Sequence, residues 1–174
     1  MKTWITLLRG INVGGRHIVP MKELRHLLED NGYANVRTYI QSGNVVLESA
    51  RKPKDDIGAM IESKYGFKPD VLVLSKEQFA EAIENNPYDV DAGKTVHFFF
   101  CTTKPKSVDY DFLESIRADS ESFELVGKVF YLHAPDGIGR SKLVEKLGKA
   151  FKGVSMTARN LNTVRKLAEM VRIG

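Results

Sequence analysis

Cysteine is nearly absent: Cys101 is the single one in 174 residues. No intrachain disulfide can form, and a reducing compartment, the cytoplasm, is the expected location. Long apolar runs are absent too. No stretch reaches the roughly 18 residues of a membrane span, and the apolar run after Lys2 stops at Arg9, short of a secretory leader's core. The histidines, His17, His26, His97 and His133, show neither i/i+4 spacing nor a C-x-x-C partner, so the sequence supports no metal site. Also missing are a nucleophile elbow, a paired-carboxylate motif and a dinucleotide fingerprint, so no cofactor is expected.

What is present is an ordinary globular composition, 43% apolar and 28% charged. The net charge of +4 is unevenly spread. Residues 137–174 hold nine Lys or Arg against two Glu, a balance of +7, which leaves −3 for residues 1–136. A basic C-terminal quarter favours anionic partners: nucleic acid, nucleotide or phosphate. A solvated lysine face explains the same composition equally well.

The order of elements is informative. Residues 3–8 read as a buried strand. Met21, Leu24, Leu27 and Leu28 give helical spacing that stops at Asn31-Gly32. The stretch "VRTYIQSGNVVLES" reads as two strands around a turn at Ser42-Gly43-Asn44. A helix through Ile57, Met60, Ile61 and Tyr65 and the strand "DVLVLS" complete β-α-β-β-α-β, the ferredoxin-like unit. After a linking helix with Phe79, Ala82 and Ile83 on one face, the order restarts at "TVHFFFCT". The expected fold is therefore α+β, with two ferredoxin-like subdomains in tandem. Residues 1–75 form the first, 76–94 the link and 95–174 the second, whose last strand is expected to be replaced by a C-terminal helix. The strand aromatics Tyr39, Phe98, Phe99, Phe100, Phe130 and Tyr131 are expected in the core, as is Cys101.

In such a unit the end of strand one and the turn between strands two and three share one edge. "LLRGINVGGRHIVPM" would therefore meet "QSGN" there. Arg9, Gly10, Asn12, Gly14, Gly15 and Arg16, with Gln41, Ser42 and Asn44, combine guanidinium groups, amides and close-approaching glycine backbone, the ingredients of an anion site. Gly10 and Gly15 have the spacing of a P-loop, but Arg16-His17 stand where Lys and Ser or Thr are required, which argues against a nucleoside triphosphatase. A second cluster, Gly139, Arg140, Ser141 and Lys142 with Arg159 and Asn160, places cations beside a helix start capped by Asp136 or Ser141. It forms either a separate site or another wall of the first.

Four blocks, "LLRGINVGG", "TYIQSGNVV", "DGIGRSKL" and "TARNLNTVRKLAEM", resemble a bacterial family known as domain of unknown function sixteen-ninety-seven. Arg16 stands where that family often has lysine, which keeps the charge. The resemblance implies a cytoplasmic protein of two ferredoxin-like subdomains and assigns no reaction. The leading expectation is a protein that binds an anionic ligand, nucleic acid or nucleotide. Two further readings stay open: an enzyme acting on a small phosphorylated or carboxylated metabolite, with His17 or a His97/His133 pair carrying protons, and a protein-interaction module. The oligomeric state is left open.

Overall fold

The protein is described by a computed structural model covering residues 1–53 and 55–173. The chain first forms β1 (Lys2–Arg9), α1 (Met21–Asp30), β2 (Ala34–Tyr39), β3 (Asn44–Ser49), α2 (Asp56–Tyr65) and β4 (Asp70–Ser75). These strands make an antiparallel sheet in the order β2-β3-β1-β4, the ferredoxin-like arrangement. Met21, Leu24 and Leu28 are the buried stripe of α1, and the chain leaves that helix through Gly32 at φ +92°. Trp4, Leu8, Val45 and Leu47 of the sheet pack with Leu24, Leu28, Ile57 and Ile61 of the helices.

After α3 (Lys76–Glu84), the order repeats as β5 (Val96–Cys101), α4 (Tyr110–Ile116), β6 (Ser122–Val126), β7 (Val129–His133), α5 (Lys142–Ala150) and β8 (Met156–Asn160). The second sheet runs β6-β7-β5-β8, the same pattern, over a core that includes Phe99, Phe130, Leu132, Leu143 and Phe151. The chain then forms α6 (Leu161–Met170). The chain forms two compact units, Met1–Glu81 with the residues from Lys166 in one and Ala82–Arg165 in the other.

One detail of the expected fold is corrected. The C-terminal helix does not replace the last strand; it follows it. Met156–Asn160 pairs antiparallel with β5, from Cys101↔Met156 to His97↔Asn160. Residues "MTARN" hold one strand former, Thr157, beside Ala158 and Asn160, which strands disfavour, so their composition gives little strand signal. Pairing along the open side of β5 supplies the order that composition does not. As an edge strand, β8 tolerates polar residues.

The central strands of each sheet carry buried residues on both faces. Ile5, Leu7 and Val46 lie on the face of the first sheet away from α1 and α2, and Phe98, Phe100 and Tyr131 on the corresponding face of the second. The Tyr131 hydroxyl donates to the Ala82 carbonyl (2.5 Å). Phe98, Phe99, Phe100, Phe130, Tyr131 and Cys101 are therefore core residues, as expected, while Tyr39 is half-buried. Burial pushes the Cys101 thiol up to about 11, away from thiolate chemistry at neutral pH.

Candidate functional site

In the first unit, β1 ends at Arg9 on the edge where β3 begins at Asn44 and β4 begins at Asp70. The segment 10–20 leaves this edge as a small hairpin. Asn12 N–H donates to the His17 carbonyl (2.9 Å), and Val13 and Arg16 bond to each other across Gly14-Gly15. Gly14 (φ +57°) and Gly15 (φ +73°) supply the two left-handed positions that a type I′ turn requires. His17 Nδ1 donates to the Gly10 carbonyl (2.9 Å), which fixes the proton on that nitrogen, and the ring stacks on Phe67 with centroids 4.2 Å apart.

Asn12 fastens the neighbouring turn, residues 40–43, to this hairpin. Asn12 Nδ2 donates to the carbonyls of Gln41 (2.8 Å) and Val19 (3.0 Å), while Asn12 Oδ1 accepts from Val19 N–H (2.8 Å). Asn44 is buried and donates to the Tyr39 carbonyl (3.0 Å) and Ser42 Oγ (2.9 Å). The two asparagine amides are thus engaged in building the rim. Arg9 pairs with Asp70, its register partner, and both are exposed. Such a pair contributes at most about 1 kcal/mol, yet it offsets the Arg9 charge. Gly10, Gly14, Gly15, Arg16, Gln41 and Ser42 lie on the exposed surface, and Arg16 makes no ion pair among the described residues.

Sequence reasoning did not pick out the apolar part of this rim. Val13, Ile18 and Ile40 are 64%, 55% and 50% exposed. Ile40 also has φ +48°, a costly conformation for a β-branched residue. Nothing in its composition signals that geometry.

In the second unit, the segment 134–141 and Asn160 share a sheet edge, because His133 pairs with Val96 and Asn160 with His97. Ser141, rather than Asp136, caps α5: Val144 N–H donates to Ser141 Oγ (3.2 Å). The same hydroxyl donates to the buried Glu121 (2.6 Å), whose other oxygen accepts from Ala118 N–H (2.7 Å). Asp136 instead accepts from Ser120 (2.6 Å). Asn160 caps α6 through Thr163 N–H (2.9 Å). Arg159 is buried on β8, donates to the Ala158 carbonyl (2.8 Å), and is pulled down to about 10 by desolvation. Gly139, Arg140 and Lys142 are exposed.

The His97/His133 pair of the enzymatic alternative does not form. His97 opposes Leu132 and His133 opposes Val96, so the two imidazoles leave opposite faces of the sheet. His133 lies against Tyr88, with ring centroids 5.7 Å apart. His97 is buried, its Nδ1 has no hydrogen-bond partner among the described residues, and desolvation lowers its pKa from 6.5. Its neutral form is the folded form, whereas the unfolded chain takes up the proton first. Its contribution to stability is therefore complete above pH 6.5 and is lost as pH falls toward the depressed folded value. Urea midpoints between about pH 7.5 and 5 should fall more steeply for the wild type than for His97→Leu; parallel slopes would refute this assignment. Among the described residues, no group of three or more His, Cys, Asp or Glu is placed to hold a metal ion. No described helix is long and apolar enough to cross a membrane.

Over residues 1–131 the chain matches the family described as "Protein of unknown function (DUF1697)". It belongs to that family. The DUF1697 match includes the whole glycine rim and ends within β7, before the 134–141 segment. The two-sheet architecture extends further. The solved structure described as conserved bacterial protein SP0830 from Streptococcus pneumoniae is 26% identical and aligns over 98% of both chains, with a TM-score of 0.69. Comparison with curated proteins gives no match.

Proposed function

We propose that this protein binds nucleic acid through the first-unit rim, with the basic C-terminal region adding long-range attraction. One observation carries the reading. A guanidinium group and a two-glycine turn stand beside exposed apolar side chains, on two loops joined by the 2.8 Å bond from Asn12 to Gln41. Arg16 and the glycine backbone suit a phosphate. Val13, Ile18 and Ile40 suit the sugar or base beside it, which an inorganic anion lacks. The +7 balance of residues 137–174 raises the local potential and speeds encounter with a polyanion. A bound mononucleotide would use the same donors. The open rim and the spread of charge favour the polymer.

Fluorescence anisotropy with single- and double-stranded oligonucleotides, at about 50 and 200 mM salt, tests this reading. The wild type should bind at low salt and weaken as salt rises. Arg16→Glu should reduce the slope of log K against log salt by about 1 or more. Arg9→Ala should change it less, since Asp70 already offsets that charge. No binding at low salt, or Arg16→Glu behaving as wild type, would exclude the rim as a nucleic-acid site.

A further inference from the structure

The second unit repeats the first unit's element order, so its own loops occupy the topological places of the glycine rim. The segment 102–109 follows β5 as the glycine hairpin follows β1, and 151–155 precedes β8 as 66–69 precedes β4. These two segments and the end of α5 border a cleft of about 630 Å³. Its charged lining is Lys104, Lys106, Lys149, Lys152 and Asp109. Four ammonium groups against one carboxylate leave +3.

The walls are joined at both ends. Thr102 donates to the Ser155 carbonyl from its backbone N–H (2.9 Å) and its hydroxyl (3.2 Å). Asp109 N–H donates to the Ala150 carbonyl (3.2 Å). The one carboxylate is engaged elsewhere, since Asp109 Oδ1 accepts from Phe112 N–H (3.0 Å). Among the described residues, none of the four lysines forms an ion pair. Four like charges set against a single carboxylate repel one another, and a multivalent anion between them lowers that cost. Lysine suits such a ligand as a mobile point charge with three donors.

We propose that this cleft binds a compact oligophosphate, a chain of condensed phosphates such as a nucleoside triphosphate carries. A single phosphate or carboxylate would satisfy one wall; a charge of about −3 to −4 extended over several oxygens reaches both. The volume lies in the roughly 300–1,000 Å³ range of small-ligand sites. The site is independent of the rim, with which it shares no residue.

The test uses the full chain and sodium tripolyphosphate in titration calorimetry, with orthophosphate and a single-stranded oligonucleotide as comparison ligands. Tripolyphosphate should bind more tightly than orthophosphate. The double variant Lys104→Glu/Lys152→Glu, one change on each wall, should weaken it by about tenfold or more. Lys104→Gln/Lys152→Gln should weaken it less, and circular dichroism should show both variants folded. Lys22→Glu/Arg25→Glu, an equal change of charge on the exposed face of α1, should leave tripolyphosphate binding unchanged, which separates the cleft from a general effect of net charge. The proposal is overturned if tripolyphosphate binds no better than orthophosphate. It is equally overturned if the double variants bind as wild type, if Lys22→Glu/Arg25→Glu weakens binding as much as they do, or if the four lysines affect the oligonucleotide alone.

Discussion

Gly43→Ala should lower stability by about 2–5 kcal/mol, a large part of a domain's usual 5–15. Two costs combine. Gly43 sits at φ +93°, where an alanine pays about 1–2 kcal/mol. The added Cβ would also lie 2.7 Å from Leu8 Cβ and 3.3 Å from the Leu8 carbonyl oxygen. Neither is the far end of a flexible side chain. Both belong to β1, whose Leu8 N–H donates to the Gly43 carbonyl at 2.8 Å, so relief requires the turn to lift from the strand. Overpacking of this kind costs about 1–3 kcal/mol. Gly14→Ala is the matched control: it too has positive φ, but nothing lies within 4 Å of its added Cβ, and it should cost about 1 kcal/mol. The urea midpoint at unchanged m-value reads both. If Gly43→Ala costs no more than Gly14→Ala, the tight seating of this turn on β1 is wrong.

The same position shows how far the sequence could be read. Glycine at a turn between two apolar runs signals a hairpin, and Met21, Leu24 and Leu28 signal a helix face, because both patterns are local and periodic. Taken in order, such patterns yield β-α-β-β-α-β twice, and with it the edge where the glycine hairpin meets "QSGN". Partners that depend on pairing register were not legible. Arg9 and Asp70 stand 61 positions apart and meet only because β1 and β4 align them. His97 and His133 fail to meet because Val96, one residue away, is the partner of His133. A step of one residue moves a side chain to the other face of a sheet, and composition does not reveal which step is taken.

Asparagines pose a different problem. An amide in a glycine-rich loop has the same composition whether it faces a ligand or a carbonyl of its own chain. The sequence presents Asn12 and Asn44 as ligand donors; in the structure their amides bond within the rim. Lysines 104 and 106 pass as ordinary loop charges until the second ferredoxin-like unit is closed and places Lys149 and Lys152 beside the same cleft. Ile40 carries no sequence signal at all, since a β-branched residue is the last expected at φ +48°. Backbone strain on an exposed apolar residue persists only where surrounding structure enforces it, and such positions cluster at functional surfaces. That makes Ile40 part of the case for the rim.

Asn12→Ala should cost about 2–3 kcal/mol and should weaken oligonucleotide binding more than its loss of stability alone would predict. Three bonds disappear together, leaving Val19 N–H and the carbonyls of Val19 and Gln41 without that partner. Each is worth about 1 kcal/mol net, less at the exposed Gln41 where water replaces it. Asn12 also holds φ +52°, which asparagine tolerates better than alanine. Asn12→Asp separates these contributions. It keeps the left-handed preference and the acceptor for Val19 N–H, but it turns the donor toward Gln41 and Val19 into an oxygen facing two carbonyl oxygens. Its stability relative to wild type should therefore improve as pH falls and the new carboxyl gains a proton to donate. Hydrogen exchange at residues 12–19 and 40–43 should accelerate in both variants, while α4 and α5 of the other unit stay protected. If Asn12→Ala matches Gly14→Ala in urea midpoint, exchange and affinity, the two loops are held together by something other than this side chain, and the rim loses the fastening on which its proposed function depends.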